Sequence, residues 1–194
     1  PSTTTRTRTR NIEDSVRRAA SALAREARVG ASGVTPAREA AAWHDLGKVH
    51  PYFQQLLLTH LSADDDRRSG GPWAKSDTRP RRTTDRPDRP HFRHELASAL
   101  AMVTHGCSDL AAYLAAAHHG KVRISIRSLP GEKWPEDGGR FARGIWEGDV
   151  LPAADIAAGQ PVPETRLALE LMEMGGDGAV ASWMERTLGL LERL

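Results

Sequence analysis

Three observations predict an all-α, mostly helical single domain with long irregular loops. Apolar residues recur at helical spacing through several segments, and those segments begin or end at capping and breaking residues. The one alternation of strand type, "VRISIRSL" at 122–129, is weak enough to be an extended loop. With 194 residues and 39% hydrophobic content, the chain supports one sizeable core and leaves little for a second full domain.

Taken in order, the opening "PSTTTRTRTR", residues 1–10, is a polar, basic, low-complexity tail, read as a flexible arm or linker remnant outside a folded domain at 11–194. Asn11 can cap a first helix whose apolar positions are Ile12, Val16, Ala19, Ala20, Leu23 and Ala27, closing near Gly30. A second helix follows Pro36 through "AREAAAWHDL" to Gly47, a residue suited to a left-handed C-terminal cap. A short amphipathic helix lies around "YFQQLLLTHL"; from about 62 to 90 the chain is rich in Pro, Gly and Arg without usable periodicity and reads as a mobile basic loop. Helical periodicity resumes in "HELASALAMV" and in "DLAAYLAAAHH", the latter ended by Gly120. The Gly- and Pro-rich stretch 130–163 reads as irregular, before two terminal helices, "ETRLALELMEM" and "AVASWMERTLGLLERL". No internal repeat is present.

Composition excludes several classes of function. The single cysteine, Cys107, rules out an internal disulfide or a Cys-based zinc site, so a metal would have to be held by His and carboxylate. The longest apolar run, "LAAYLAAA", falls far short of the roughly 20 residues that span a bilayer, and no signal-peptide pattern opens the chain. A soluble, cytoplasmic protein with no membrane partner is expected. The formal charge of +2 conceals nine Lys or Arg against three Asp between Arg67 and Arg93, a local +6 compatible with a polyanionic partner.

The chemistry-bearing residues are His44, Asp45, His94, His118 and His119, each at or within a turn of a predicted helix end. A lone histidine on an apolar helix is ordinarily a core residue bonded to a backbone carbonyl, and the His44-Asp45 pair by itself carries that reading. The recurrence of ligand types in "FRHELASALA" and "LAAAHHGKVR" argues for a shared site, because helix ends are where elements of a bundle converge on one cavity. Adjacent helical residues point about 100° apart, so His118 and His119 cannot both face one core; one core and one surface histidine is the plainer alternative. Neutral imidazole suits Mn, Fe, Co, Ni or Zn, and a carboxylate such as Asp45 can bridge two ions in hydrolases acting on phosphate esters. His50, His60, His91 and His105 are taken as surface or supporting residues.

"HDLGK" followed by "FQ", then "RHE" and "HHG" in that order, resembles the HD-domain nuclease of the CRISPR type I helicase-nuclease effector, within the HD phosphohydrolase superfamily. The resemblance covers roughly 12–127, with a looser likeness in "SWMERTLGLLERL". It implies a compact helical HD fold, one or two divalent ions (Mn, Fe, Co or Ni foremost, Mg or Zn as alternatives) and endonucleolytic cleavage of single-stranded DNA in antiviral interference. The implied partners are a superfamily 2 helicase domain, fused or separate, and the CRISPR surveillance complex. It also implies ligand roles for His44, Asp45, His94, His118 and His119, with Asp45 bridging, and a phosphate-steadying role for Lys48. Arg79, Arg81, Arg82 and Arg123 are expected to contact the nucleic-acid backbone. Two departures stand out: Ser15 where the family places a histidine, and a final aspartate that the family supplies from a helix beyond the point where this chain stops at Leu194, as in a truncated, divergent or excised module. Zero to one tightly bound ion, on Asp45, His94, His118 and His119, with any second ion weak, is therefore expected. The alternatives are an HD phosphohydrolase acting on nucleotides and a catalytically silent module binding metal and nucleic acid.

Overall fold

The computed structural model describes residues 35–59, 61–75, 88–120, 126–156, 159–173 and 181–192. The expected first helix, with Asp14 and Ser15, lies outside the described residues, as do His60, Arg79, Arg81, Arg82 and Arg123.

Helix α1 (Pro36–Trp43) opens on Thr35, whose side chain accepts the Arg38 N–H, with Pro36 at the first helical position. It ends at His44, and a 3-10 turn, Leu46–Val49, redirects the chain into α2 (Pro51–Leu58). Helices α3 (His94–Thr104) and α4 (Asp109–Ala117) follow, the second capped by Ser108. Helix α5 (Trp183–Leu191) opens on a capping box in which Ser182 and Glu185 each bond the other's backbone N–H.

The centre of the molecule is α3, every residue of which from Glu95 to Met102 is buried. Helices α1 and α4 and the 3-10 turn pack around it, and α5 packs on α4. Alanine dominates these contacts (Ala40, Ala97, Ala101, Ala111, Ala112 and Ala115 are buried in one cluster), so the helices approach closely and their ends meet. The larger fully buried side chains, among them Leu96, Leu100, Ile145, Leu151 and Met184, each contribute about 1.5–3 kcal/mol by leaving water.

The molecule is largely but not purely helical. The stretch expected to be irregular carries small antiparallel ribbons: β1 (Phe141–Ala142) with β2 (Ile145–Trp146), β3 (Val150–Leu151) with β6 (Thr165–Arg166), and β4 (Ala154–Ile156) with β5 (Gln160–Val162). The last two pairings keep one register, so they are two halves of a single hairpin, interrupted where Pro152 and Pro163 withhold the N–H a ladder needs. The expected helix "ETRLALELMEM" is corrected: Thr165–Arg166 is strand β6 and Leu169–Met172 a 3-10 turn. Its backbone is claimed elsewhere, by Leu167 N–H on the Asp149 carbonyl (2.7 Å), Gly148 N–H on the Leu167 carbonyl (2.8 Å) and Leu169 N–H on Glu147 (3.0 Å).

The near half of the basic segment is folded against α2. Gln54 clasps Trp73 through Trp73 N–H to Oε1 (2.7 Å) and Nε2 to the Trp73 carbonyl (2.8 Å). Arg68 donates to the carbonyls of Leu58, Leu61 and Ser62, closing the C-terminal end of α2. At the far end Arg89 forms two bonds to Asp149 and stacks 3.7 Å over the Trp146 ring.

Candidate metal centre

The site forms where α1 ends, α3 begins and α4 ends. His44 is the C-cap of α1 and Asp45 follows it; His94 is the first residue of α3; His118 is the C-cap of α4 and His119 follows. The five residues expected to share one site do converge. His44 and His118 meet ring to ring at 4.9 Å between centroids, His94 and His118 at 5.6 Å, His94 and His119 at 5.1 Å, and His118 and His119 at 4.0 Å.

Two supports hold the first segment in place. Ser98, one helical turn beyond His94 and fully buried, accepts the Gly47 N–H at 2.7 Å and donates to the His44 carbonyl at 2.8 Å. Gly47 is not a left-handed cap as expected: it belongs to the 3-10 turn, and no left-handed φ marks it. Its glycine is required by close approach instead, since a Cβ there would lie 2.0 Å from the His94 carbonyl oxygen. Ser98 went unnoticed in the sequence, although its spacing from His94 puts both on one face of α3. Phe53 of α2 packs against the His94 ring at 5.5 Å.

Hydrogen bonding fixes which nitrogens face inward. His44 Nδ1 lies 3.0 Å from the Ala41 carbonyl and His118 Nδ1 2.6 Å from the Ala115 carbonyl. A carbonyl only accepts, so Nδ1 carries the proton in both rings and Nε2 keeps its lone pair. His44 Nε2 then faces Asp45 Oδ1 at 3.6 Å, and His94 Nε2, buried and without a hydrogen bond, lies 3.5 Å from the same oxygen. The second oxygen, Oδ2, is bound by Lys48 Nζ at 2.6 Å.

Burial raises the Asp45 carboxyl, but His94, His44 and Lys48 outweigh it and hold the group well below the ordinary carboxylate range. Burial lowers His44 more than Asp45 raises it; burial, His94 and Lys48 lower His119; and burial with the neighbouring histidines brings His118 down to about 4. These three imidazoles are neutral near pH 7. A lone pair on His44 Nε2 therefore confronts a carboxylate oxygen with no proton between them, an apposition of two acceptors that a cation resolves.

That donor set fits a divalent ion. Ligand atoms of His94, His118 and His119 lie within 4.8 Å of one another, as do those of His44, Asp45 and His118. His118 is common to both groups, whereas the expected single set of Asp45, His94, His118 and His119 does not form one such group. Lys48 Nζ pairs with Asp45 Oδ2 beside the histidines. His50, taken as a surface or supporting residue, is buried: its Nδ1 accepts the Tyr52 N–H and caps α2, and its Nε2 lies 3.2 Å from Asp149. His105 is exposed and bonds Thr165 at 2.8 Å; His91 is exposed.

No curated protein and no solved structure matches the chain. The family described as Cas3, HD domain, matches residues 6–164 and so spans all the histidines and Asp45 of the site. The order of the motifs, their convergence on one cluster and a match over most of its length together make this chain a member of the Cas3 HD-domain family.

Proposed function

We propose that the chain hydrolyses phosphodiester bonds of single-stranded DNA during CRISPR interference, using a divalent ion held by His44, Asp45, His94, His118 and His119. Membership of the Cas3 HD family makes it a CRISPR-associated metal-dependent nuclease in outline; single-stranded DNA as substrate is the finer step. The observation that carries metal-dependent hydrolysis is the apposition of unprotonated His44 Nε2 and Asp45 Oδ1 beside His94 Nε2, which is buried without a hydrogen bond. When bound, the ion supplies Lewis acidity toward a phosphoryl oxygen and lowers the pKa of a water.

The chain's own residues do the rest. Neutral His44 and His118 present Nε2 because their Nδ1 protons are committed to helix carbonyls. Lys48 occupies Oδ2 of Asp45, which leaves Oδ1 facing the histidines and places an ammonium at the edge of the site, where it favours approach of a phosphodiester. Arg79, Arg81, Arg82 and Arg123 would add contacts to the strand's phosphates, which carry little sequence information. A superfamily 2 helicase, fused or separate, would deliver the unwound strand under the control of a surveillance complex.

The test is cleavage of circular single-stranded DNA by the purified chain across a manganese titration, beside duplex DNA and dNTPs. Wild type should nick and degrade the circle, and Asp45→Ala should lower the rate by at least about 100-fold, beyond the range seen for residues that merely support ligands, with helical circular dichroism unchanged. Phosphate release from dNTPs alone would make the chain a nucleotide phosphohydrolase. Binding of the circle without cleavage at any manganese concentration would make it a silent module.

A further inference from the structure

Glu95 is the most deeply buried acid among the described residues at the centre, with a side chain 1% exposed, and it sits beside a candidate ligand. Its Oε1 has no hydrogen bond and lies 4.0 Å from Arg93 Nε; its Oε2 lies 3.4 Å from His94 Nδ1. The neighbouring positions Leu96, Ala97, Ala99 and Leu100 are fully buried and apolar, so packing of α3 gives no reason for a carboxyl at this point. The helix N-terminus offsets part of the desolvation, yet burying an acid with such weak partners remains costly.

The three inward histidines supply the reason. His44 and His118 close their helices, and each gives its Nδ1 proton to the carbonyl three residues earlier on its own helix, Ala41 or Ala115. His94 opens its helix. The start of a helix offers N–H groups and no spare carbonyls, and the residue three positions earlier, His91, precedes α3. An acceptor for His94 Nδ1 therefore has to come from a side chain, and Glu95 Oε2 occupies that position.

We infer that Glu95 is the positioning residue of this centre: it holds His94 in the Nδ1–H tautomer and turns its Nε2 lone pair toward Asp45. The inference rests on the metal-binding reading above. Its acceptor is a carboxylate where His44 and His118 have backbone carbonyls, the kind of partner that fixes the tautomer and orientation of a ligating imidazole.

The experiment is histidine-selective 13C and 15N NMR of the metal-free full chain, followed by manganese titration calorimetry. Wild-type His94 should show the Nδ1–H tautomer. Glu95→Gln, whose amide oxygen still accepts from Nδ1, should keep that tautomer and lose about 10-fold in manganese affinity; Glu95→Leu should lose the tautomer and about 100-fold in affinity. Unchanged His44 and His118 signals report an intact fold in each variant, and if the leucine variant does not fold, wild type and Glu95→Gln still decide. A wild-type His94 in the Nε2–H tautomer, or a folded Glu95→Leu with tautomer and affinity unchanged, would overturn the inference. A wild type with the Nδ1–H tautomer but no manganese binding would instead sink the metal-binding reading and leave the positioning intact.

Discussion

At the scale of single residues, the site depends on small features that a motif does not advertise. Gly47 is the clearest case: its close contact is a backbone oxygen, so no rotamer change relieves a Cβ placed there. Gly47→Ala should cost at least about 3 kcal/mol, at the upper end of overpacking penalties, and should weaken manganese binding, because the clash separates the turn carrying Asp45 from the start of α3. Urea denaturation measures the first effect and calorimetry the second; a loss of about 1 kcal/mol or less, at the low end of overpacking penalties, would mean the turn can slide. The five ligand candidates were legible because they are rare residue types at helix ends. Ser98 and Glu95 were not, since a serine and a glutamate inside a helical pattern look like routine polar positions until burial is known. Their spacing from His94, one turn and one residue, was the available signal.

At the scale of elements, α1 to α5 were readable because each has a cap or a breaker and an apolar stripe, while the ribbons of 141–166 were not. Strands of two or three residues are too short to show alternation. The turn joining β1 to β2 is Arg143-Gly144, with φ of 54° and 75°, a primed turn lacking the usual Asn-Gly signature. The ribbons are joined to the helical half through Asp149. Its carboxyl accepts from Arg89 (2.6 and 2.9 Å) and from Trp146 N–H (2.9 Å), and lies 3.2 Å from His50 on the lead into α2. Burial raises the Asp149 carboxyl, but His50, Arg89 and the Trp146 N–H outweigh it, so its folded pKa lies below the unfolded value. The sign follows: Asp149 contributes stability that is full above about pH 4, the ordinary carboxylate value, and is lost as pH falls through the depressed folded value. Asp149→Asn should be less stable than wild type by about 3 kcal/mol near pH 7, the scale of breaking a buried pair. The gap should narrow in urea melts taken below pH 4; a gap independent of pH would show that Asp149 acts by shape alone.

At the scale of the whole molecule, the centre joins three stretches far apart in sequence: the end of α1, the start of α3 and the end of α4. None of them is held to the others in the unfolded chain, so an ion bound at their meeting point stabilises only the native state. At a free concentration 100 times its dissociation constant the gain is about 2.7 kcal/mol, and for a chain of this size that raises the melting temperature by roughly 5–10 °C. The number of ions follows from His118. It belongs to both ligand groups, and its Nδ1 is committed to the Ala115 carbonyl, so only Nε2 can ligate and only one group can be complete at a time. One ion per chain should survive desalting, any second should be weak, and chelation should remove the thermal shift. His118→Ala should abolish that shift because it breaks both groups. His119→Ala and His44→Ala should each leave part of it, because each leaves one group whole. Metal analysis after desalting and thermal scans with manganese or chelator check each expectation. Two ions retained per chain, or a full shift in His118→Ala, would show that ligands beyond these five complete the site.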